Sequence, residues 1–481
     1  MILPGVDRRI IALGLARMAD AVANSFLIIV LPLYIASGTV GGWGFGLSEA
    51  AITGLVLGAF GIVNSVVQPF AGRLSDRAGR RKAFILFGLV ALGVVTLGYA
   101  QATSYTVLLS VRLLQAAGAA FTIVGSVALV SELSPPGGRG KNMGVYNSFR
   151  LFGFGAGPLA AGFVVEHGPY ALGSLTLSGF EAAFYGAAAA AFVSAALVAL
   201  LVSDPDDIEP TDRSTALRVF AKKSGRGLDP IFALGVASLF MASCIALLSP
   251  IETVVNERLG QGPVLFGVEF AAFIATQVVL QPLVGRLSDE YGHRRFILWG
   301  LAGLVPATLF QGIVVAPWQM IAARLLQGGA AAMVFAPALA LAGEIAEEGQ
   351  SGAQLSVLTV SFGLGIAAGQ VISGFLIRFG FLVPFVAGAL LAAAGLVLVG
   401  TQVPGQAPSD TSSKNALSNA GTVPTNGEHK LQTTAAHASF GEPTRDEQSR
   451  DGGRRNGHPS DRAGRPRSRQ AETELASAEV D

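Results

Sequence analysis

Long uncharged runs alternate with short charged ones along the chain. A bilayer core takes about twenty mostly apolar residues per helix. Runs of that kind lie near 10–36, 49–71, 83–101, 105–130, 142–166 and 180–203. A second set lies near 231–251, 265–286, 295–316, 318–344, 353–378 and 381–402. Six and six predict twelve transmembrane helices. Between the sets stands DPDDIEPTDRSTALRVFAKKSGRGLD, residues 204–229, polar and charged. From residue 404 the chain is rich in Ser, Thr, Gly, Asn, Pro and charge. Such a segment buries too little surface to offset its ordering entropy, so disorder is expected. The pattern predicts an all-α membrane fold with an N-terminal six-helix bundle at 1–203, a central loop at 204–229, a C-terminal bundle at 230–403 and a tail at 404–481.

Composition agrees with a membrane protein. Charged residues make up 14% of the chain, against about 25% in soluble domains. Mean hydropathy is +0.54. The 61 glycines suit close helix packing in a bilayer. Arg8 and Arg9 precede a first run that continues to about Ile35. That is longer than the apolar core of a cleavable signal, so a retained first helix is expected. A net charge of +1 gives no global attraction for nucleic acid. The lone cysteine, Cys244, forms no intrachain disulfide. No metal-binding cluster, nucleophile elbow or phosphate loop is evident, so neither an enzyme nor a cofactor is expected.

The placement of Lys and Arg sets the orientation. One side carries Arg8, Arg9, the cluster at 73–82, Arg139, Lys141, the basic residues of the central loop, Arg286, Arg294 and Arg295. The other carries Arg258 and Arg378. Both termini and the central loop are therefore expected to be cytoplasmic.

The halves look like copies. QPFAGRLSDRAGRRK from residue 68 aligns with QPLVGRLSDEYGHRR from 281, an offset of 213. RLLQAAGAA from 112 aligns with RLLQGGAAA from 324, an offset of 212, and Ser148-Phe149 aligns with Ser361-Phe362. Many secondary transporters are built from such repeats. The tail repeats SDRAGRPR at 460–467 without apolar flanks. The short string alone is therefore weak, and the flanks and spacing carry the signal.

On these residues the sequence resembles the major facilitator superfamily over about 8–403. GRLSDRAGRRK at 72–82 carries the family's G-x-x-x-D-[RK]-x-G-R-[RK] signature: Gly72, Asp76, Arg77, Gly79, Arg80 and Arg81. RLLQAAGAA resembles the family's helix 4 stretch, with Ala116-Ala117 in place of a more usual glycine. GFGAGPLAAGF, with Gly153, Gly157, Pro158 and Gly162, resembles the helix 5 signature of the drug:proton antiporters, with Ala161 where a glycine is preferred. The resemblance implies two pseudo-symmetric six-helix bundles that work by alternating access. It also implies a monomer in the cell membrane, a small-molecule substrate, and protons and lipid as partners. The signature loop is implied to latch the cytoplasmic ends of the halves.

Features in both halves read as architecture, and features in one half read as function. Gly72 lets helix 2 approach a neighbour. Asp76 suits a helix N-terminus, where the macrodipole favours an anion. Arg77, Arg80, Arg81 and Lys82 hold the loop in the cytoplasm and are within reach of Glu132 at the end of helix 4. Asp289 repeats Asp76, while Glu290 and His293 align with Arg77 and Arg80. Asp20 lies near mid-bilayer, about 15 Å along helix 1 from Ile10. A carboxylate there is costly unless paired or protonated. It is thus either a proton carrier or a local pair with Arg17, three residues back on the same face. Arg112 has a twin in Arg324. The resemblance gives Arg112 a part in proton coupling, and the repeat equally allows structural pairing. Arg150 is expected either to snorkel to the cytoplasmic surface, the preferred reading, or to face the cavity. In helix 5, Gly153, Gly157 and Ala161 form a small face for close packing, and Pro158 removes a backbone hydrogen bond.

The reading that follows is proton-coupled efflux of a hydrophobic or amphipathic small molecule. Uptake or facilitated movement of a metabolite on the same fold is the alternative. A non-transporting sensor or assembly protein on the same scaffold is a third.

Overall fold

The computed structural model describes residues 7–42, 44, 46–135, 138–205, 228–345 and 351–404. The expectations for most of the central loop and for the tail lie outside them. Twelve helical spans among the described residues are long and apolar enough to cross a membrane. The first six are α1 Arg8–Ala36, α2 Glu49–Ala78, α3 Arg81–Leu97, α4 Tyr105–Glu132, α5 Arg139–Glu166 and α6 Gly179–Leu201. The seventh, Pro230–Leu259, is made of α7 Pro230–Ala246 and α8 Glu252–Leu259 joined by a short 3-10 turn at Ser249–Ile251. Pro250 sits in that turn, and without an N–H it cannot continue the α ladder. The rest are α9 Pro263–Tyr291, α10 His293–Ile313, α11 Pro317–Ile345, α12 Ser351–Leu376 and α13 Val383–Gln402.

Local chemistry sets several starts. Ser48, Ser104 and Ser178 cap α2, α4 and α6 through their hydroxyls, and Asp229 caps α7 through its carboxylate. Each satisfies an N–H left open by the first helical turn. Glu181 completes a capping box with Ser178. The helices keep large apolar side chains on their outer faces. Val279 is 72% exposed, Trp299 71% and Leu390 66%. Helices that are apolar on both faces belong in lipid.

The ends differ from the runs read in the sequence. The charged signature is helical, not a loop. α2 continues through Asp76 and Arg77 to Ala78, and only Gly79 and Arg80 separate it from α3. Gly79 takes φ +61°, a left-handed cap that needs no Cβ. α9 likewise runs to Tyr291. Hydropathy falls at these charged turns, but the backbone ladder does not stop there. A two-stranded hairpin, β1 Tyr170–Leu172 with β2 Leu175–Leu177, joins α5 to α6.

Helix contacts repeat between the halves. α1 packs on α5 and α6, α2 on α4, and α3 on α4 and α6. In the second half α7 packs on α12 and α13, α9 on α11, and α10 on α11 and α13. The two most extensive contacts between the halves are α2 with α12 and α5 with α9; α1 and α2 also touch the Ser249–Ile251 turn, and α1 touches α8 and α9. The first two are close. A Cβ on Gly54 or Gly61 of α2 would overlap the carbonyls of Gln370 and Gly363. A Cβ on Gly162 or Gly267 would overlap the backbone at Pro263 or Pro158. These contacts join the N-terminal half of α2 to α12 and the C-terminal half of α5 to the start of α9.

Candidate functional site

A cavity of about 250 Å3 lies between the halves, lined from α1, α2, α4 and α5 on one side and α7, α9, α11 and α12 on the other. α1 brings Arg17, Asp20 and Asn24 to it, three polar residues on one helical face. Asp20 is 1% exposed. Its Oδ2 accepts from Nη1 of Arg17, and its Oδ1 accepts from Nδ2 of Asn24 at 3.2 Å. The local pair read as an alternative in the sequence is therefore present.

Arg112 and Arg324 reach the cavity by matching constructions. Arg112 is 4% exposed and Arg324 is fully buried. Arg112 donates to Oε1 of Gln115 at 2.6 Å, and Tyr99 donates to the same oxygen at 2.9 Å. Arg324 donates to Oε1 of Gln327 at 2.5 Å and to the Ile245 carbonyl at 3.3 Å. The R-x-x-Q spacing that recurs in the sequence thus fixes each guanidinium to a glutamine one turn on. Each also lies over phenylalanine rings: Arg112 at 4.4 Å from Phe60, Arg324 at 4.7 and 4.8 Å from Phe270 and Phe273. Among the described residues neither forms an ion pair.

Arg150 does not snorkel. It lines the cavity, donates to Oδ1 of Asn147 at 2.8 Å and lies 5.6 Å from the Phe154 ring. The Asn147 amide oxygen and the Phe154 ring hold the guanidinium at the cavity.

Two carboxylates went unread in the sequence. Glu252 and Glu269 are fully buried in the second half. Gln261 donates to Oε1 of Glu269 at 2.8 Å. Neither oxygen of Glu252 makes a hydrogen bond of ordinary geometry. The two acids interact electrostatically with each other, and Glu269 does so with Arg324. The expected run at 231–251 stopped one residue before Glu252. The clue was Glu269, an acid four residues into a run with no other charge before Arg286. Among the described residues no cluster of His, Cys, Asp or Glu is arranged to hold a metal.

In the helix 5 motif, Gly153 and Gly157 face α1. Their absent side chains make room for the Met18 carbonyl and for Ser25, whose hydroxyl donates to the Gly153 carbonyl at 3.3 Å. Gly162 and the Pro158 carbonyl face α9 of the other half. The helix runs unbroken through Pro158. The motif therefore lets one helix touch both halves closely.

The signature cluster lies at the end of the first half. Gly72 faces Val124 of α4. Arg81, 6% exposed, donates to Asp76 at 2.6 Å, to Ser75 at 3.0 Å, and through Nε and Nη2 to Glu132 at 2.9 and 2.8 Å. One side chain thereby ties α2, α3 and α4 together within a single half. Asp76 meets that guanidinium and not the start of α3. The carboxylate that accepts from the α3 backbone, at Lys82 N, is Asp204 at 2.8 Å. In the second half His293 contacts Ser288 at 3.1 Å, Glu344 at 3.0 Å and Asp289 at 3.7 Å. It therefore plays the part of Arg81, not of Arg80 as the alignment has it. The offset changes from 213 to 212 here, because a single residue, Gly292, replaces the pair Gly79-Arg80 between the helices.

Twelve crossings in duplicated halves around one shared cavity, apolar but for a few buried charged and amide side chains, define a polytopic membrane protein of the internal-repeat kind. Residues 13–251 and 231–442 match the profile of the Major Facilitator Superfamily, and the chain belongs to it. It is 27% identical over 252 residues to multidrug resistance protein 2 of Bacillus subtilis (strain 168), covering 51% of this chain and 60% of that one. It is 29% identical over 140 residues to the quinolone resistance protein NorA of Staphylococcus aureus, covering 29% of this chain and 34% of that one. The chain thus matches less than two thirds of the length of either relative. Among solved structures, a bacterial homolog of the human lysosomal transporter Spinster, inward-facing and occupied, superposes with TM-score 0.64 at 16% identity, covering 81% of this chain and 94% of that one. The human organic anion transporter MFSD10 (TETRAN) superposes with TM-score 0.61 at 20% identity, covering 82% and 99%. These two likenesses concern the fold.

Proposed function

We propose that the protein is a secondary transporter of the cell membrane that works as a monomer, with both termini cytoplasmic. It exports an amphipathic small molecule in exchange for protons. The observation that carries the reading is the cavity, built jointly by two halves and holding buried charge among apolar walls. A site at the interface of repeats is what alternating access requires. Relatives described as resistance proteins support export of a drug-like molecule. Buried acids supply the proton sites: Asp20 in the first half, Glu252 and Glu269 in the second. Glu252, whose oxygens lack a partner, is held most readily as the acid, while Asp20 takes a proton only by giving up its pair with Arg17; proton exchange at these sites accompanies a change of access. In this reading Arg112 positions substrate, since it has no acid to tune.

One observation favours the alternative of proton-linked uptake. Asp20 is paired with Arg17, and Glu269 acts electrostatically on Arg324 without forming an ion pair. A proton on either acid leaves its arginine free to hold an anion, so the two would travel together. Reconstituted vesicles with an imposed pH gradient and a fluorescent quinolone decide between them. Accumulation on the acidic side is expected for exchange, and movement with protons to the alkaline side indicates uptake. No gradient-driven movement would overturn proton coupling.

A further inference from the structure

We propose that the cavity selects organic anions: molecules with a flat apolar body and one negatively charged group. The inference rests on reading the cavity as the transport site and holds for either direction of transport. Four guanidiniums line it, from Arg17, Arg112, Arg150 and Arg324, against one carboxylate, Asp20. Arg17 spends its charge on Asp20. Glu269 acts on Arg324 without forming an ion pair with it and does not line the cavity. Even with Glu269 ionised, the cavity keeps an excess of positive charge. Arg112 and Arg150 form no ion pair among the described residues.

The hydrogen bonding is incomplete in the same places. Nε of Arg112, and Nε and Nη2 of Arg324, are buried without a partner. A charged donor buried this way is unfavourable until an acceptor reaches it. An oxyanion supplies that acceptor, and a planar guanidinium receives it through paired N–H groups. The guanidinium carbons of the three arginines lie over Phe60, Phe154, Phe270 and Phe273. The same rings, with Phe335 and Phe362, offer flat apolar surface to the remainder of the ligand. An organic cation would meet like charge on both walls.

The test uses the full chain, purified in detergent, and three probes with one aromatic body. These are naphthalene-2-sulfonate, the neutral naphthalene-2-methanol and the cationic (2-naphthylmethyl)trimethylammonium. Binding is measured by thermal stabilisation and by equilibrium titration. The sulfonate is expected to bind at least about tenfold tighter than the other two, the usual scale of a charge-assisted contact. Arg324→Gln should remove most of that preference. Because Arg324 is buried, Arg150→Gln, at a half-buried site, serves as the second variant. It should weaken the sulfonate at least several-fold more than the alcohol. Equal binding by all three probes, tighter binding by the cation, or a sulfonate affinity indifferent to Arg150→Gln would overturn the inference and leave the cavity as the transport site. No binding by any probe to protein with an intact melting transition would overturn the transport-site reading as well.

Discussion

Asp20 shows what one residue requires of its neighbours. Breaking a buried ion pair from one side leaves the other charge stranded, at about 3–5 kcal/mol. Asp20→Asn should therefore lower the melting temperature and expression, because Arg17 remains buried beside it. Adding Arg17→Gln should recover much of the loss. A single mutant as stable as the parent would show that the pair is dispensable. Arg81→Gln removes the donor shared by Asp76, Ser75 and Glu132. It should lower stability by about 1.5–3 kcal/mol, the range for hydrogen bonds to charged groups, as read by unfolding in detergent. The equivalent His293→Gln should cost less, since imidazole bears charge only when protonated and Asp289 is 72% exposed. Much of this was legible. Arg17 and Asp20 are three apart in an apolar run, and Arg81 stands in a recognisable signature. Glu252 was not, because a hydropathy window ends where Glu252, Asn256 and Glu257 accumulate, although the helix does not.

At the scale of elements, number was readable and extent was not. Crossing a bilayer demands only length and apolarity, both visible in composition. Helix ends depend on single backbone events, such as the left-handed turn at Gly79 or the break at Pro250. The hairpin between α5 and α6 rests on the Gly173-Ser174 turn, a weak local signal passed over among the long runs. The duplication, aligned by string matching, placed His293 one residue away from its true equivalent, because only contacts reveal where a residue was lost between copies. The cross-half approach of α2 to α12 was also invisible, since abundant glycine does not say which glycine meets which backbone. It yields a sharp expectation. Gly54→Leu inserts a side chain where the Gln370 carbonyl lies, so the halves should part at that end. A reporter cysteine at Ile28, a cavity residue, should then label faster with a membrane-impermeant thiol reagent applied outside. The parent chain, whose Cys244 is buried, sets the background. Unchanged labelling would mean the contact does not hold that end shut.

For the whole molecule, orientation is the first matter to fix. A reporter active only outside the cytoplasm, fused after residue 403, should stay silent if the twelve crossings begin and end on the cytoplasmic side. A strong signal would overturn that topology. The two most extensive cross-half contacts carry a further consequence. α2 with α12 and α5 with α9 are images of each other under the duplication, so they act as paired seams closing one end of the molecule. Each half packs closely within itself, so in the alternating-access reading proposed above each half swings as a unit and parting one seam strains the other. The opening then has a single degree of freedom, and loosening either seam lowers the same barrier. Gly54→Leu and Gly162→Leu should therefore combine in free energy: the double variant should label faster by about the product of the two single factors, where independent gates would only add their rates.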